Sequence, residues 1–113
     1  MTKILMNWED MTLSASGHAN AAEKGKDIVC AGISALTQAL LHTLLDAEER
    51  GRTRLTWKMD EAKGELKMTA IPYAGYWPEI RAYYRVTMIG LKAIAEEYPK
   101  HIKIGEVWAH GNL

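Results

Sequence analysis

The sequence predicts an α+β fold in ββαββαβ order, with a mostly antiparallel sheet and two helices packed on one of its faces. Three observations carry this. Apolar residues at Val29, Ile33, Leu36, Leu40 and Leu44 step by three or four, the spacing of a helical stripe. Ile80, Tyr84, Met88, Leu91, Ala95 and Tyr98 repeat that spacing later in the chain. Between them TRLTWKM and ELKMTAI flank the turn-rich DEAKG, as the strands of a hairpin do. At 113 residues the chain is expected to form one domain, residues 1–113, with a small core.

Residues Thr2 to Trp8 and Met11 to Ser16 read as two short strands around a turn at Glu9 and Asp10. A loop bounded by Gly17 and Gly25 follows. The first helix has clear ends: Asp27 is a natural N-cap, Arg50 falls in the last turn and Gly51 takes the left-handed terminating position. Gly32 weakens its early turns, which close packing against a neighbour would explain. In the hairpin, Leu55, Trp57 and Met59 share one face while Arg54, Thr56 and Lys58 share the other. PYAGYW is a loop that opens the second helix at Pro78, and Pro99 ends it after Tyr98. A last strand is expected over His101 to Trp108. The open face of the sheet and the four tryptophans would suit a dimer interface.

Fourteen basic residues balance fourteen acidic ones, which argues against a nucleic-acid binder built on a basic stripe. No direct nucleic-acid partner and no membrane partner are expected. The start, MTKILMNWEDMTL, has no signal-peptide pattern, and the apolar stretches read as too broken for the ~20 residues of a membrane span. A soluble cytoplasmic protein is expected. A single cysteine excludes an internal disulfide and suits a reducing compartment.

That cysteine, Cys30, has four possible occupations: packing, metal ligation, redox sensing or nucleophilic attack. With Asp27 as cap, Cys30 takes the third helical position, where the backbone N–H groups have no intrahelical partner and favour a thiolate. His18, at the mouth of the preceding loop, is a candidate base. Packing remains open, since VCAGI places a small thiol in an apolar run. His42 cannot share a metal with Cys30, because twelve residues of helix at ~1.5 Å separate them by about 18 Å. No metal or cofactor is expected, and a redox thiol would lack a resolving cysteine in this chain. Asp27 serves better as cap than as a group orienting His18, since a carboxylate beside the thiol would oppose its ionisation. Ser34, one turn beyond Cys30, is placed to hydrogen-bond back to the Cys30 carbonyl.

The stretch GHA followed by GKDIVCAGISAL resembles the signature of the ribosomal-processing cysteine proteases, the Prp family of Firmicutes and related bacteria. Gly17, His18 and Ala19 match its start; Gly25, Asp27, Ile28, Val29, Cys30, Ala31, Ser34, Ala35 and Leu36 match the remainder. MIGLKAIAEEYPKHIKI resembles the family's second helix, so the likeness runs from Gly17 to about Ile104. The resemblance implies a cysteine protease with His18 as base and Cys30 as nucleophile, and with Gly17, Asp27 and Ser34 in supporting positions. It also implies a homodimer that removes an N-terminal extension, aromatic before the cut, from a large-subunit ribosomal protein. Gly17 is expected to let the loop move, and Ala19 to Lys26 to act as a substrate-gated lid. The first hairpin looks shorter than in typical members, and the tail GEVWAHGNL is unlike them. Relatives in prophage contexts leave a phage structural protein as an alternative substrate. A non-enzymatic dimeric binding module, with Cys30 as core, is the alternative of another class.

Overall fold

The computed structural model describes residues 1–17 and 26–108, with Lys26 and Asp27 given by backbone alone. The chain runs β1 (Thr2–Asn7), β2 (Thr12–Ser16), α1 (Lys26–Glu49), β3 (Thr53–Asp60), β4 (Glu65–Pro72), α2 (Trp77–Glu97) and β5 (Ile102–Val107). This is the ββαββαβ order read from the sequence. The five strands form one sheet in the order β3-β4-β2-β1-β5. Both hairpins and the β2–β4 pair are antiparallel, while β5 lies parallel to β1. That parallel pair joins the two ends of the described chain, so no local turn signal announces it.

Strand alternation divides the sheet cleanly. Ile4, Met6, Leu13, Leu66, Met68, Ala70 and Ile102 point inward and are buried, while Lys3, Leu5, Lys67, Ile71 and Lys103 between them are exposed. Val29, Ile33, Leu40, Leu41, Leu44 and Ala47 bury the inner side of α1, and Ile80, Tyr84, Met88 and Leu91 that of α2. Leu36, Ala95 and Tyr98 are partly buried at the edge of the same core. Trp57 shares its face with Leu55 and Met59, yet it is 46% exposed because β3 is an edge strand. Trp8 alone of the tryptophans is buried; it stacks on Trp108 and meets Tyr84 edge-on.

The two helices interlock through glycines. A Cβ on Gly32 would stand 3.0 Å from the Ile94 side chain, and one on Gly90 would stand 2.9 Å from Leu36. Each helix therefore receives a branched side chain of the other where it has none of its own. This is the close approach that the sequence suggested for Gly32 and did not suggest for Gly90.

The end of α1 follows the expected chemistry. Gly51 has φ 74°, its N–H donates to Glu48, and Arg52 N–H donates to Ala47, the paired bonds of a left-handed helix stop. Arg50 lies just past the last turn and pairs with Asp46 at 3.2 Å. At the other end the helix begins at Lys26, so Asp27 is its second residue rather than its cap. An acidic residue there still meets the favourable N-terminal end of the helix dipole.

The sequence also understated how apolar α1 is. Ile28–Glu49, 22 residues with a mean hydropathy of 1.7, is long and apolar enough to cross a membrane by length and composition alone. Here the segment's buried side instead covers the sheet and meets α2, with Leu44 fully enclosed.

A charged cluster ties the start of α2 to the turn after α1. Arg52 pairs with Glu79 at 2.6 Å, the Tyr83 hydroxyl donates to the same carboxylate at 2.8 Å, and Arg52 lies over the Tyr76 ring. The Tyr83 hydrogen bond, with the Arg52 guanidinium adding to it, holds Glu79 below the ordinary glutamate value. A depressed folded-state value stabilises the fold above the unfolded value and is lost as pH falls through the folded one. Glu79→Gln should therefore lower Tm most near neutral pH, with the difference from wild type shrinking below pH 4.5. Thermal unfolding of both proteins across that range checks this; a pH-independent difference would contradict the assignment.

Candidate active site

Cys30, Ile33, Ser34, Thr37 and Gln38 of α1 face the end of the sheet where β2 stops and the β3–β4 hairpin turns. Between them lies an open cleft of about 340 Å³. Cys30, the fifth residue of α1, lines it and is half-buried, as a thiol must be to sit in a wall yet meet a ligand. The third helical position expected for Cys30 moves to the fifth because the helix starts earlier than Asp27. The first four N–H groups of α1 have no partner inside the helix and belong to the turn preceding Cys30.

Ser34 follows Cys30 by one turn and lines the same cleft. Its expected bond to the Cys30 carbonyl is not made among the described residues. That pattern belongs instead to Thr37, whose hydroxyl donates to the Ile33 carbonyl at 2.9 Å. The Ser34 hydroxyl is left available to the cleft. Ile33, Met59 and Leu66 give the cleft an apolar floor, and Asp60, Glu61 and Glu65 from the hairpin line its other side.

Gly17 closes the wall on the β2 side. Its φ is 127°, and a Cβ there would fall against the Met1 carbonyl oxygen and 3.0 Å from Thr2 Cα. Its N–H donates to the Gly64 carbonyl at 3.1 Å, which links the end of β2 to the hairpin turn. The resemblance gave Gly17 the task of freeing the loop, which lies outside the described residues; Gly17 itself packs against Met1 and Thr2 where a side chain would not fit. His18 follows it directly in the chain and lies outside the described residues, as does the expected lid up to Gly25. The side chain of Asp27 is likewise outside the description. Of the five residues singled out in the sequence, the structure thus brings Gly17, Cys30 and Ser34 to one cleft. Sequence reasoning missed Thr2, Met59 and Leu66, which reach it through strand pairing across the sheet and carry no local motif.

Comparison with known proteins decides the family. The model of the family described as cysteine protease Prp matches residues 1–103. The chain belongs to the Prp cysteine protease family. The ribosomal processing cysteine protease Prp of Mycoplasma genitalium is 33% identical over 108 residues, covering 91% of this chain and 95% of that protein. Among solved structures, the S. aureus ribosomal processing protease Prp in complex with a substrate peptide matches with a TM-score of 0.76 at 22% identity. That match covers 94% of this chain and 99% of the other. The same protease with a covalently linked product peptide gives a TM-score of 0.75 at 23% identity, over the same shares. These two likenesses establish the fold; the family rests on the sequence matches.

The constraint at Gly17 is directly testable. Gly17→Ala places a Cβ against backbone atoms at a φ that favours glycine, a strain of about 1–3 kcal/mol. Urea unfolding should show a loss of that order, together with impaired peptide cleavage. Unchanged stability would mean that the end of β2 is not packed as described.

Proposed function

We propose that this chain is an endopeptidase that removes an N-terminal extension from a large-subunit ribosomal protein, with Cys30 as nucleophile and His18 as base. The observation that carries the reading is the cleft itself, where the thiol, the glycine preceding His18 and the Ser34 hydroxyl meet over an apolar floor. Membership of a cysteine protease family and a curated relative described as a ribosomal processing protease support the substrate class.

In this reading His18 takes the thiol proton and the Cys30 sulfur attacks the scissile carbonyl carbon. The carbonyl π electrons move to oxygen, where N–H groups at the start of α1 stabilise the anion. Collapse breaks the C–N bond as His18 gives its proton to the departing amine, leaving a thioester on Cys30. Water then adds to the thioester; its hydroxyl stays on the acyl group and its other proton returns to the thiolate. Ile33, Met59 and Leu66 would receive the aromatic side chains that precede the cut. The protein would act in the cytoplasm and as a homodimer, and exposed Val86 and Ile89 on α2 leave apolar surface for a second copy.

Cys30→Ala and His18→Ala should each abolish cleavage of a peptide with an aromatic-containing N-terminal extension, and Cys30→Ser should reduce it severely. Mass spectrometry of the products at equal enzyme concentration checks this. Cleavage persisting in either alanine variant would remove that residue from the chemistry.

A further inference from the structure

The helices cover only one face of the sheet. The other carries Lys3, Arg54, Lys58, Lys67 and Lys103, all exposed. The register sets Lys58 directly opposite Lys67, and Lys3 opposite Lys103. Like charges facing each other across strands destabilise a sheet, and this face keeps two cationic pairs beside one acidic pair, Asp60 opposite Glu65. None of the five cations forms a salt bridge among the described residues. Acidic residues gather elsewhere: Asp46, Glu48 and Glu49 end α1, and Glu96 and Glu97 end α2. On the sheet face, strand alternation leaves Asp60 and Glu65, at the end nearest the cleft. The open face therefore carries five cations against two carboxylates, a positive patch within a chain whose charges sum to zero.

Hydroxyls fill the space between the amines. Thr56, Thr69 and Thr12 stand in one row across three strands, with the Thr12 and Thr69 oxygens 2.6 Å apart, and Ser14 pairs with Lys67 in the next row. Leu5, Ile71 and Val107 are the exposed large apolar residues of the strands on this face. A second copy of the chain is a poor occupant, because face-to-face pairing would bring two cationic surfaces together. A surface of amines and hydroxyls, with no element among the described residues projecting from it for a major groove, matches the phosphates and 2′-hydroxyls of an A-form minor groove.

We infer that the open sheet face binds double-helical RNA through its backbone, without reading sequence. Lys3, Lys58, Lys67 and Lys103 contact phosphates, and exposed Thr56 and partly buried Thr69 meet sugar hydroxyls, Thr12 being buried beneath them. Binding at this face is independent of the peptidase chemistry, so its test can use the Cys30→Ala protein as readily as wild type.

The test is fluorescence anisotropy with a labelled RNA duplex of about 16 base pairs. Four phosphate contacts should weaken binding roughly 100-fold between about 50 and about 200 mM salt. Lys58→Ser/Lys67→Ser and Lys3→Ser/Lys103→Ser should each flatten the log–log salt slope by about 2. Arg81→Ser/Arg85→Ser, on α2, should leave it unchanged, and circular dichroism should show every variant folded. Absence of binding at the lower salt, or a slope insensitive to the lysine variants, would overturn the inference. So would equal binding to polyglutamate or to anionic vesicles, which would assign the face to an acidic protein or a membrane. A dimer that dissociates when these lysines are replaced would assign it to self-association.

Discussion

The interlock of α1 with α2 sets the position of everything that matters for chemistry. Gly32 accepts Ile94 and Gly90 accepts Leu36, so the helices settle in a single register along each other. Cys30 lies two residues before Gly32 on α1. Any slide of the helix would move the thiol along the cleft by ~1.5 Å per residue. The inner face of the sheet then supplies the opposite wall, and Gly17 fixes where β2 ends relative to both the N-terminus and the hairpin. The described walls of the cleft are thus set by packing between helix and sheet.

Much of this was legible in the sequence because its signals are local. Both helical stripes, the alternation in β3 and β4, and Gly51 as the stop of α1 all depend on neighbours within a turn or a strand, and all are found. What escaped the reading depends on distant partners. The β1–β5 pair, the contribution of Met59 and Leu66 to the cleft, and the seating of Leu36 over Gly90 each join residues far apart in sequence. Asp27 illustrates a smaller failure: an acidic residue is favourable both as a cap and within the first turn, so composition alone did not place the helix start. The Gly17–His18 and Cys30 spacing pointed to a site; Gly17, Cys30 and Ser34 line one cleft, and His18 lies outside the described residues.

Charge shows the same limit of one-dimensional reading. Fourteen cations and fourteen anions sum to zero. Strand alternation nevertheless sends five of the cations to one face, and the ends of the helices carry five of the acids. A net charge therefore bears on solubility, whereas recognition depends on where the side chains point. Along the β3–β4 hairpin, Asp60, Glu61 and Glu65 border the cleft, while Lys58 and Lys67 lie farther along the open face.

The central claim is that Cys30 is a reactive nucleophile and not a buried filler of the core. The rate of its alkylation by iodoacetamide at neutral pH, compared between the folded protein and the chain unfolded in denaturant, addresses this directly. The single cysteine makes the signal unambiguous. A nucleophile served by a neighbouring base should react faster folded than unfolded, and His18→Ala should remove part of the difference. A folded thiol that reacts no faster than the unfolded chain would return Cys30 to the packing of α1.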